Sequence, residues 1–433
     1  MARFIFLLLY NLLLPVFLLV SIPGYLVKMK RRGGFGTGLS ERFGIYRRPR
    51  SEEPRGVLYV HAVSVGEVFI ALKFIREWRK THSEPVVLAT STATGHRVVR
   101  DAALPGVRAL YSPLDVPGLS GRCLSRFTPR AVVLIEAELW PNFAEVCHRR
   151  NIPMVMLNAR LSPRSEGRYR KVRGITRLLF ERLTALGAQN ERDAGRFAGI
   201  GVRPEIITVT GSIKFDALAD ARPERREDFA AILHRLSGGR PVVLAASTHA
   251  GEEALIAAAA RDAGAWPLIV PRHAERRAEV CRDLAAAGFS PILRTAGELP
   301  EEGAVPENCC YVADTTGELR AWTALADVVV IGKSFLAKGG QNPAEAIAAR
   351  VPVIAGPDMT NFADLMNMLE QERGALRCEA AELSGTIRGL LADPEGVRAQ
   401  CERAFRALDM HSGATQRSVR LVESLWLPTP EQK

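Results

Sequence analysis

Short β-branched runs alternate along this chain with longer stretches of helical period. LYVHAV at 58–63 is followed by VFIALKFIREWRK, then by PVVLAT at 85–90, AVVLIEAELW at 131–140 and PMVMLNARL at 153–161. Apolar runs of this length, bounded by turn residues and spaced by helices, predict βαβ units and a parallel sheet buried on both faces. Between Asp216 and Gly239 the pattern gives way to an Ala, Arg, Glu and Pro rich stretch. It restarts with PVVLAAST at 241–248, PLIVPRH at 267–273, DVVVIG at 327–332 and VPVIAGP at 351–357. The predicted fold is α/β, with two Rossmann-like domains at 33–225 and 226–433 and ligands in the cleft between them. From Ala380 to about Trp426 the period is helical, and its end is expected to pack back on the first domain.

The N-terminus follows another pattern. From Phe4 to Val27 there is no charged residue, and a helix of that length covers about 36 Å, enough for a hydrocarbon core near 30 Å. A cleavable signal is the competing reading, but no small-x-small site follows the apolar part. Residues 1–32 are therefore expected to be a membrane anchor helix with a basic flank. Lys28, Lys30, Arg31 and Arg32 follow the apolar part and only Arg3 precedes it, which places the bulk of the chain in the cytoplasm. Arg42, Arg47, Arg48 and Arg50 extend the basic excess, suited to an anionic inner-membrane lipid surface.

Composition narrows the classes. With 433 residues, 47% apolar and 24% charged, the chain can bury two cores and is not disordered. A net charge of +11 calls for an anionic partner; nucleic acid would account for the charge but not for the anchor. Seven scattered cysteines, without a CxxC pair or a Cys/His cluster, predict a reduced compartment and no structural metal.

Polar residues gather at the predicted strand ends. Glu67, after Ser64 and Gly66, is placed to deprotonate an acceptor hydroxyl, although an acid in a first helical turn is also favoured by the helix dipole, which would lower its pKa and weaken it as a base. Glu136 and Glu138 alternate along the predicted strand and so point to opposite faces. Arg160, Arg164, Arg168, Arg170, Lys171 and Arg173 form a basic stretch suited either to acceptor phosphates or to solvent. In the second half Gly339 and Gly340 precede Asn342, an expected N-cap, and Pro343, an expected first helical residue. Glycines there would let a phosphate reach free N–H groups, with Glu345 on a ribose diol or in a capping box. Arg272 is placed to clamp a phosphate or carboxylate in fork geometry, beside His273. STHAGEE (247–253) and DTTGEL (314–319) fit either capping or ligand contact.

Taken in order, HAVSVGE (61–67), STATG (91–95), LIEAELWPN (134–142), LNARLS (157–162), TGSIKFD (210–216), ASTHAGEE (246–253), PRH (271–273), DTTGEL (314–319) and GGQNPAEA (339–346) resemble the signature segments of the Kdo (3-deoxy-D-manno-octulosonic acid) transferases. The resemblance runs from the anchor to about residue 370. It implies the glycosyltransferase B architecture and an inverting, metal-independent transfer of Kdo from CMP-Kdo to the lipid A precursor lipid IVA, without a cofactor. By the same resemblance Glu67 is the general base and Glu138 the second acid. Arg272, His273, Gly339, Gly340, Asn342 and Glu345 serve the donor, and Ser64, Gly66, Arg160 and Arg164 the acceptor. The chain has Gln341 where the family usually has His, and Lys333 where it usually has Gly. The alternative within the fold is a transferase using a UDP-sugar donor on a lipid acceptor.

Overall fold

The computed structural model of the chain describes residues 1–31, 38–136, 139–219, 225–297, 299–301 and 305–426; the side chains of 17, 18, 20–31, 39 and 217–219 are not described. Two compact units are present, Met1–Asp216 with Gly413–Lys433, and Ala217–Ser412.

The first unit is built on seven parallel strands in the order β3-β2-β1-β4-β5-β6-β7. They are β1 (Leu58–Ala62), β2 (Val86–Thr90), β3 (Val107–Tyr111), β4 (Ala131–Ile135), β5 (Met154–Ala159), β6 (Ala185–Ala188) and β7 (Ile207–Val209). β1, β2 and β4 are buried along their whole length, as continuous β-branched runs require when helices cover both faces. Tyr59, Val87 and Leu134 pack toward the helices Leu119–Phe127 and Pro141–Arg149. Leu58, Val60, Leu88 and Val133 pack toward the helix Val65–Trp78. Pairing of Tyr59 with Val87 on one side and with Val132 on the other makes β1 central. The chain order reverses between β1 and β4, and ligands of open α/β sheets sit at that switch point, beyond the carboxyl ends of the strands.

The second unit repeats the plan in the order β10-β11-β9-β8-β12-β13-β14. Its strands are β8 (Val242–Thr248), β9 (Trp266–Pro271), β10 (Ser290–Leu293), β11 (Cys309–Val312), β12 (Val328–Ile331), β13 (Val353–Ala355) and β14 (Leu376–Arg377). The switch point lies between β8 and β12, which pair from Val243 with Val328 to Ala246 with Ile331.

Two expectations are corrected. The chain passes between units at Asp216 and Ala217 rather than at 225, and 226–433 is not one domain, because the helix Ala414–Glu423 returns to the first unit. The reason is twofold: Val419 and Val422 join the core beside the helix Val65–Trp78, and the buried Asp216 carboxylate accepts the N–H groups of Gly413 (2.8 Å) and Thr415 (2.9 Å). β4 ends at Ile135, and Glu136 has φ 63°, so the alternation assumed for Glu136 and Glu138 does not hold; Glu138 itself lies outside the described residues.

The anchor expectation is not confirmed by the described residues. The N-terminal helix spans Ala2–Arg31, but among the described residues no helix is long and apolar enough to cross a membrane. The side chains of 20–31 and all of 32–37 lie outside the described residues. What is described is fastened to the first unit by polar contacts: Arg3 lies 3.8 Å from both Glu145 and Glu181, Tyr10 donates to Asp115 at 3.0 Å, and Asn11 meets Asn142. Its apolar side chains Phe4, Leu8, Leu12 and Leu19 are exposed.

Candidate active site

At the first switch point β1 runs into a tight turn. Ser64 is the N-cap, its hydroxyl accepting the Glu67 N–H at 3.2 Å. The Glu67 carboxylate, in a residue only 8% exposed, answers with Oε1 on the Ser64 N–H (3.2 Å) and Oε2 on the Val63 N–H (2.8 Å). Ser64 and Glu67 thus form a capping box. Each oxygen spends one lone pair on the backbone and keeps others for a hydroxyl proton. Gly66 leaves room beside it, since a Cβ there would touch only Ser64 Oγ at 3.8 Å.

His61, on the same strand, was not singled out from the sequence. It is buried, its Nδ1 lies 3.0 Å from Ser112 Oγ, and its Nε2 has no partner among the described residues. The ring meets Trp140 edge-on at 5.1 Å, and burial holds its pKa down at about 4. With Tyr59, Ser112, Pro113, Leu134, Trp140 and Phe143 it lines a small pocket. The signal was available: His61 is the one polar side chain in the otherwise apolar β1.

Asp115 accepts the N–H groups of Asn142 (2.9 Å) and Phe143 (2.8 Å), capping the helix Pro141–Arg149, and takes the Tyr10 hydroxyl as well. Burial pushes its carboxyl up to about 6. The WPN segment is thereby tied to the N-terminal helix. Arg160, after β5, and Arg164, in the first turn of the helix Pro163–Lys171, are exposed. Arg170 pairs with Glu166 at 3.1 Å and Arg168 donates to Ser165, so part of the basic stretch is held within its own helix.

At the second switch point the turn after β8 faces the loop after β12. Gly332 is obligatory there: a Cβ would lie 2.5 Å from the Ser247 carbonyl oxygen. The loop closes on itself, with Gly340 N–H donating to Lys333 O (2.8 Å) and Gln341 N–H to Gly332 O (3.1 Å). Gly339 N–H donates to Asp358 at 3.0 Å. The amides expected to be free at Gly339 and Gly340 are thus engaged, and these glycines serve by shape, a Cβ on Gly340 meeting Met359 Sδ at 2.2 Å. Asn342 Oδ1 accepts the Ala344 N–H at 3.0 Å, and Pro343 stands just before the helix Ala344–Ala348 instead of inside it.

Glu345 does not form a capping box. Its Oε1 lies 3.6 Å from Arg320, and its buried Oε2 has no partner among the described residues, the state of an acceptor awaiting a donor. Gln341 Nε2 lies 3.2 Å from His249 Nε2, and the His249 ring meets that of His273 at 6.0 Å. Burial and then the nearby Lys333 charge lower the His249 pKa. His273 is exposed, 3.5 Å from Glu275, and Arg272 is exposed with its N–H on Thr248 O. His249, Gln341 and His273 thus adjoin in the second unit. DTTGEL is internal structure: Asp314 accepts Thr295 N–H at 2.9 Å, and Glu318 pairs with Arg294 at 3.5 Å.

The chain is similar over most of its length to known proteins. Residues 37–217 match the family model described as 3-Deoxy-D-manno-octulosonic-acid transferase (kdotransferase). The 3-deoxy-D-manno-octulosonic acid transferase of Haemophilus influenzae is 32% identical over 393 residues, 89% of this chain and 90% of that one. The chain belongs to the Kdo transferase family. The Bordetella pertussis Kdo transferase is 36% identical over 86% of this chain and 87% of its own. Among solved structures, the C-terminal CMP-Kdo binding domain of WaaA from Acinetobacter baumannii is 30% identical, covering 42% of this chain and 96% of that one, with a TM-score of 0.38. Acinetobacter baumannii MurG is 15% identical over 86% of this chain and all of its own, with a TM-score of 0.48. Membership makes this a glycosyltransferase and implies Kdo transfer from CMP-Kdo in lipopolysaccharide biosynthesis.

Proposed function

We propose that the protein transfers Kdo from CMP-Kdo to lipid IVA with inversion and without a metal ion, at the cytoplasmic face of a bacterial inner membrane. The observation that carries the reading is the Glu67 carboxylate, held at the first switch point with lone pairs to spare. Glu67 takes the acceptor hydroxyl proton, the freed oxygen forms a bond to the anomeric carbon, and the bond to the CMP phosphate breaks, its electron pair leaving with CMP. Glu138 is the second acid on the acceptor side. Arg272 meets the donor's anionic groups and Glu345 Oε2 a ribose hydroxyl. Gly339, Gly340 and Asn342 shape that loop and His273 flanks it, while Ser64, Gly66, Arg160 and Arg164 border the acceptor.

The membrane placement is supported by the exposed Phe4, Leu8, Leu12 and Leu19 and by the basic helix at 163–171, beside which Val172 and Ile175 are also exposed. Such a face combines apolar burial with attraction to anionic lipid. Flotation of the full chain with anionic vesicles, and its loss on charge-reversing Arg164 and Lys171, tests this part.

The chemical test is transfer to tetraacylated lipid IVA by detergent-purified protein, in EDTA, with products read by mass. Product that disappears in Glu67→Ala supports donor, acceptor, base and metal independence together. Turnover with a UDP-sugar and none with CMP-Kdo would overturn the donor assignment.

A further inference from the structure

We propose that Glu252 is the residue that builds the donor loop: its buried carboxylate gathers the backbone of 333–336 and so sets the position of Lys333 to Asn342. The inference rests on the reading of the second unit as the CMP-Kdo side. Glu252 is fully buried at the first turn of the helix Glu252–Asp262. Its Oε2 accepts the N–H groups of His249 (3.0 Å) and Lys333 (2.5 Å). Its Oε1 accepts those of Ser334 (3.0 Å), Phe335 (3.0 Å) and Leu336 (3.4 Å).

Four consecutive amides turned toward one point form a concavity that binds anions. Lys333, at φ 57°, supplies the left-handed residue that turns them inward. The protein fills this concavity with its own carboxylate. A buried carboxylate is tolerated only when its lone pairs are met, and five N–H groups meet them. The adjacent Glu253 has separate partners, Thr248 (2.9 Å) and Arg276 (2.8 Å), so the two acids do not substitute for one another.

Two consequences follow for the site. The donor's phosphate does not enter the amide concavity, and with the Gly339, Gly340 and Gln341 amides also engaged it is met by side chains, Arg272 and Lys333 foremost. Loss of the Glu252 charge releases a loop that carries both the Gln341 contact to His249 and the lead-in to Glu345. Glu252 is a positioning residue, and its effect is specific to the donor.

The test compares wild type, Glu252→Gln and Glu252→Asp as full chains, measuring CMP binding and the KM of each substrate. The expected result is a rise of at least tenfold in CMP Kd and CMP-Kdo KM for Glu252→Gln, partly recovered in Glu252→Asp, with lipid IVA KM unchanged. Unchanged CMP binding in folded Glu252→Gln, or an equal rise in both KM values, overturns the proposal. A wild type that binds no CMP would instead sink the donor reading itself. Where the variants do not fold, amide exchange on the wild type decides: protection of 333–336 matching that of β12 supports the proposal, and free-loop exchange rates overturn it.

Discussion

The two units place an acid at the same point of the same plan, the first helical turn after the central strand, and use it in opposite ways. Glu67 takes two backbone N–H groups, both from its own turn, and keeps acceptor capacity. Glu252 takes five, four of them from a loop more than eighty residues away, and keeps little. On the proposed reading, the same residue type at the same topological position serves reaction chemistry where it is under-coordinated and architecture where it is saturated. What saturates Glu252 is the neighbouring loop, which after β12 offers a row of amides.

The comparison is broken most directly at Glu67. Glu67→Gln keeps the shape and part of the cap while removing the base, and should lower kcat by roughly 10²–10⁴-fold with CMP binding unchanged. Ser64→Ala removes the reciprocal half of the capping box, at a cost of about 1 kcal/mol, and should leave kcat within a few-fold. Steady-state kinetics beside thermal unfolding separates the two. Equal kcat losses in both variants would reduce Glu67 to a cap and erase its difference from Glu252.

A second contrast lies in the strands beneath those turns. β1 carries the buried His61, where β8 ends its apolar run with Ala245 and Ala246. Folded His61 titrates at about 4 against an ordinary 6.5, so the native state binds fewer protons than the unfolded chain between those values. Its contribution is fully present above pH 6.5 and is lost as pH falls toward 4, amounting to about 3 kcal/mol over the window. His96, lowered to about 4 mainly by burial, acts in the same direction, and Asp115, raised to about 6, acts against them. Comparing wild type with His61→Gln isolates the first: denaturant unfolding at pH 7 and pH 4.5 should show a smaller acid loss in the variant. Parallel losses in both proteins would mean that His61 takes up its proton alike in the folded and the unfolded chain.

Much of this was legible in the chain. β1, β2, β4, β5, β8, β9, β12 and β13 stand out as buried β-branched runs, and the chemistry-bearing motifs fall at their ends because parallel sheets expose only their strand ends to ligand. β3 is partly exposed at an edge, β6 is the small-residue run ALGA, and β7 has three residues, so none carries a strong apolar signal. The roles of Glu252 and Asp216 were beyond local pattern altogether. Each is decided by partners far along the chain, at separations of 81 and 197 residues for Lys333 and Gly413. His61 was hidden for another reason: one polar residue in an apolar run reads as an exception until the unpartnered Nε2 is seen.

On the proposed donor side, Glu345→Ala removes an acceptor oxygen that has no partner among the described residues. If that oxygen meets a ribose hydroxyl, the CMP-Kdo KM should rise roughly tenfold, as loss of one hydrogen bond to a charged group implies, and Tm should hardly move. Equal affinities for CMP and its 2′-deoxy analogue in the wild type would argue against the contact. A Tm drop without a KM change would make Glu345 a partner of Arg320 alone, and so place it with Glu252 among the structural acids.

The smallest expected effect is at Lys333, a left-handed position held by a residue other than glycine. Its φ of 57° is costly for a side chain, by about 1–2 kcal/mol, while glycine there would lose about 0.5–1 kcal/mol to unfolded-state entropy. Lys333→Gly should therefore stabilise the protein by up to about 1 kcal/mol, because its N–H still reaches Glu252 and only the strain is relieved. The same change removes a charge close to His249, whose lowered pKa owes part of its shift to that ammonium, and the His249 pKa should rise toward its ordinary value. The two readouts divide the reasons for having lysine at this position. A rise in stability with unchanged CMP affinity would leave the side chain in solvent and give the phosphate to Arg272; a rise in stability with several-fold weaker CMP binding would mean that this chain accepts backbone strain in exchange for a cation at the donor.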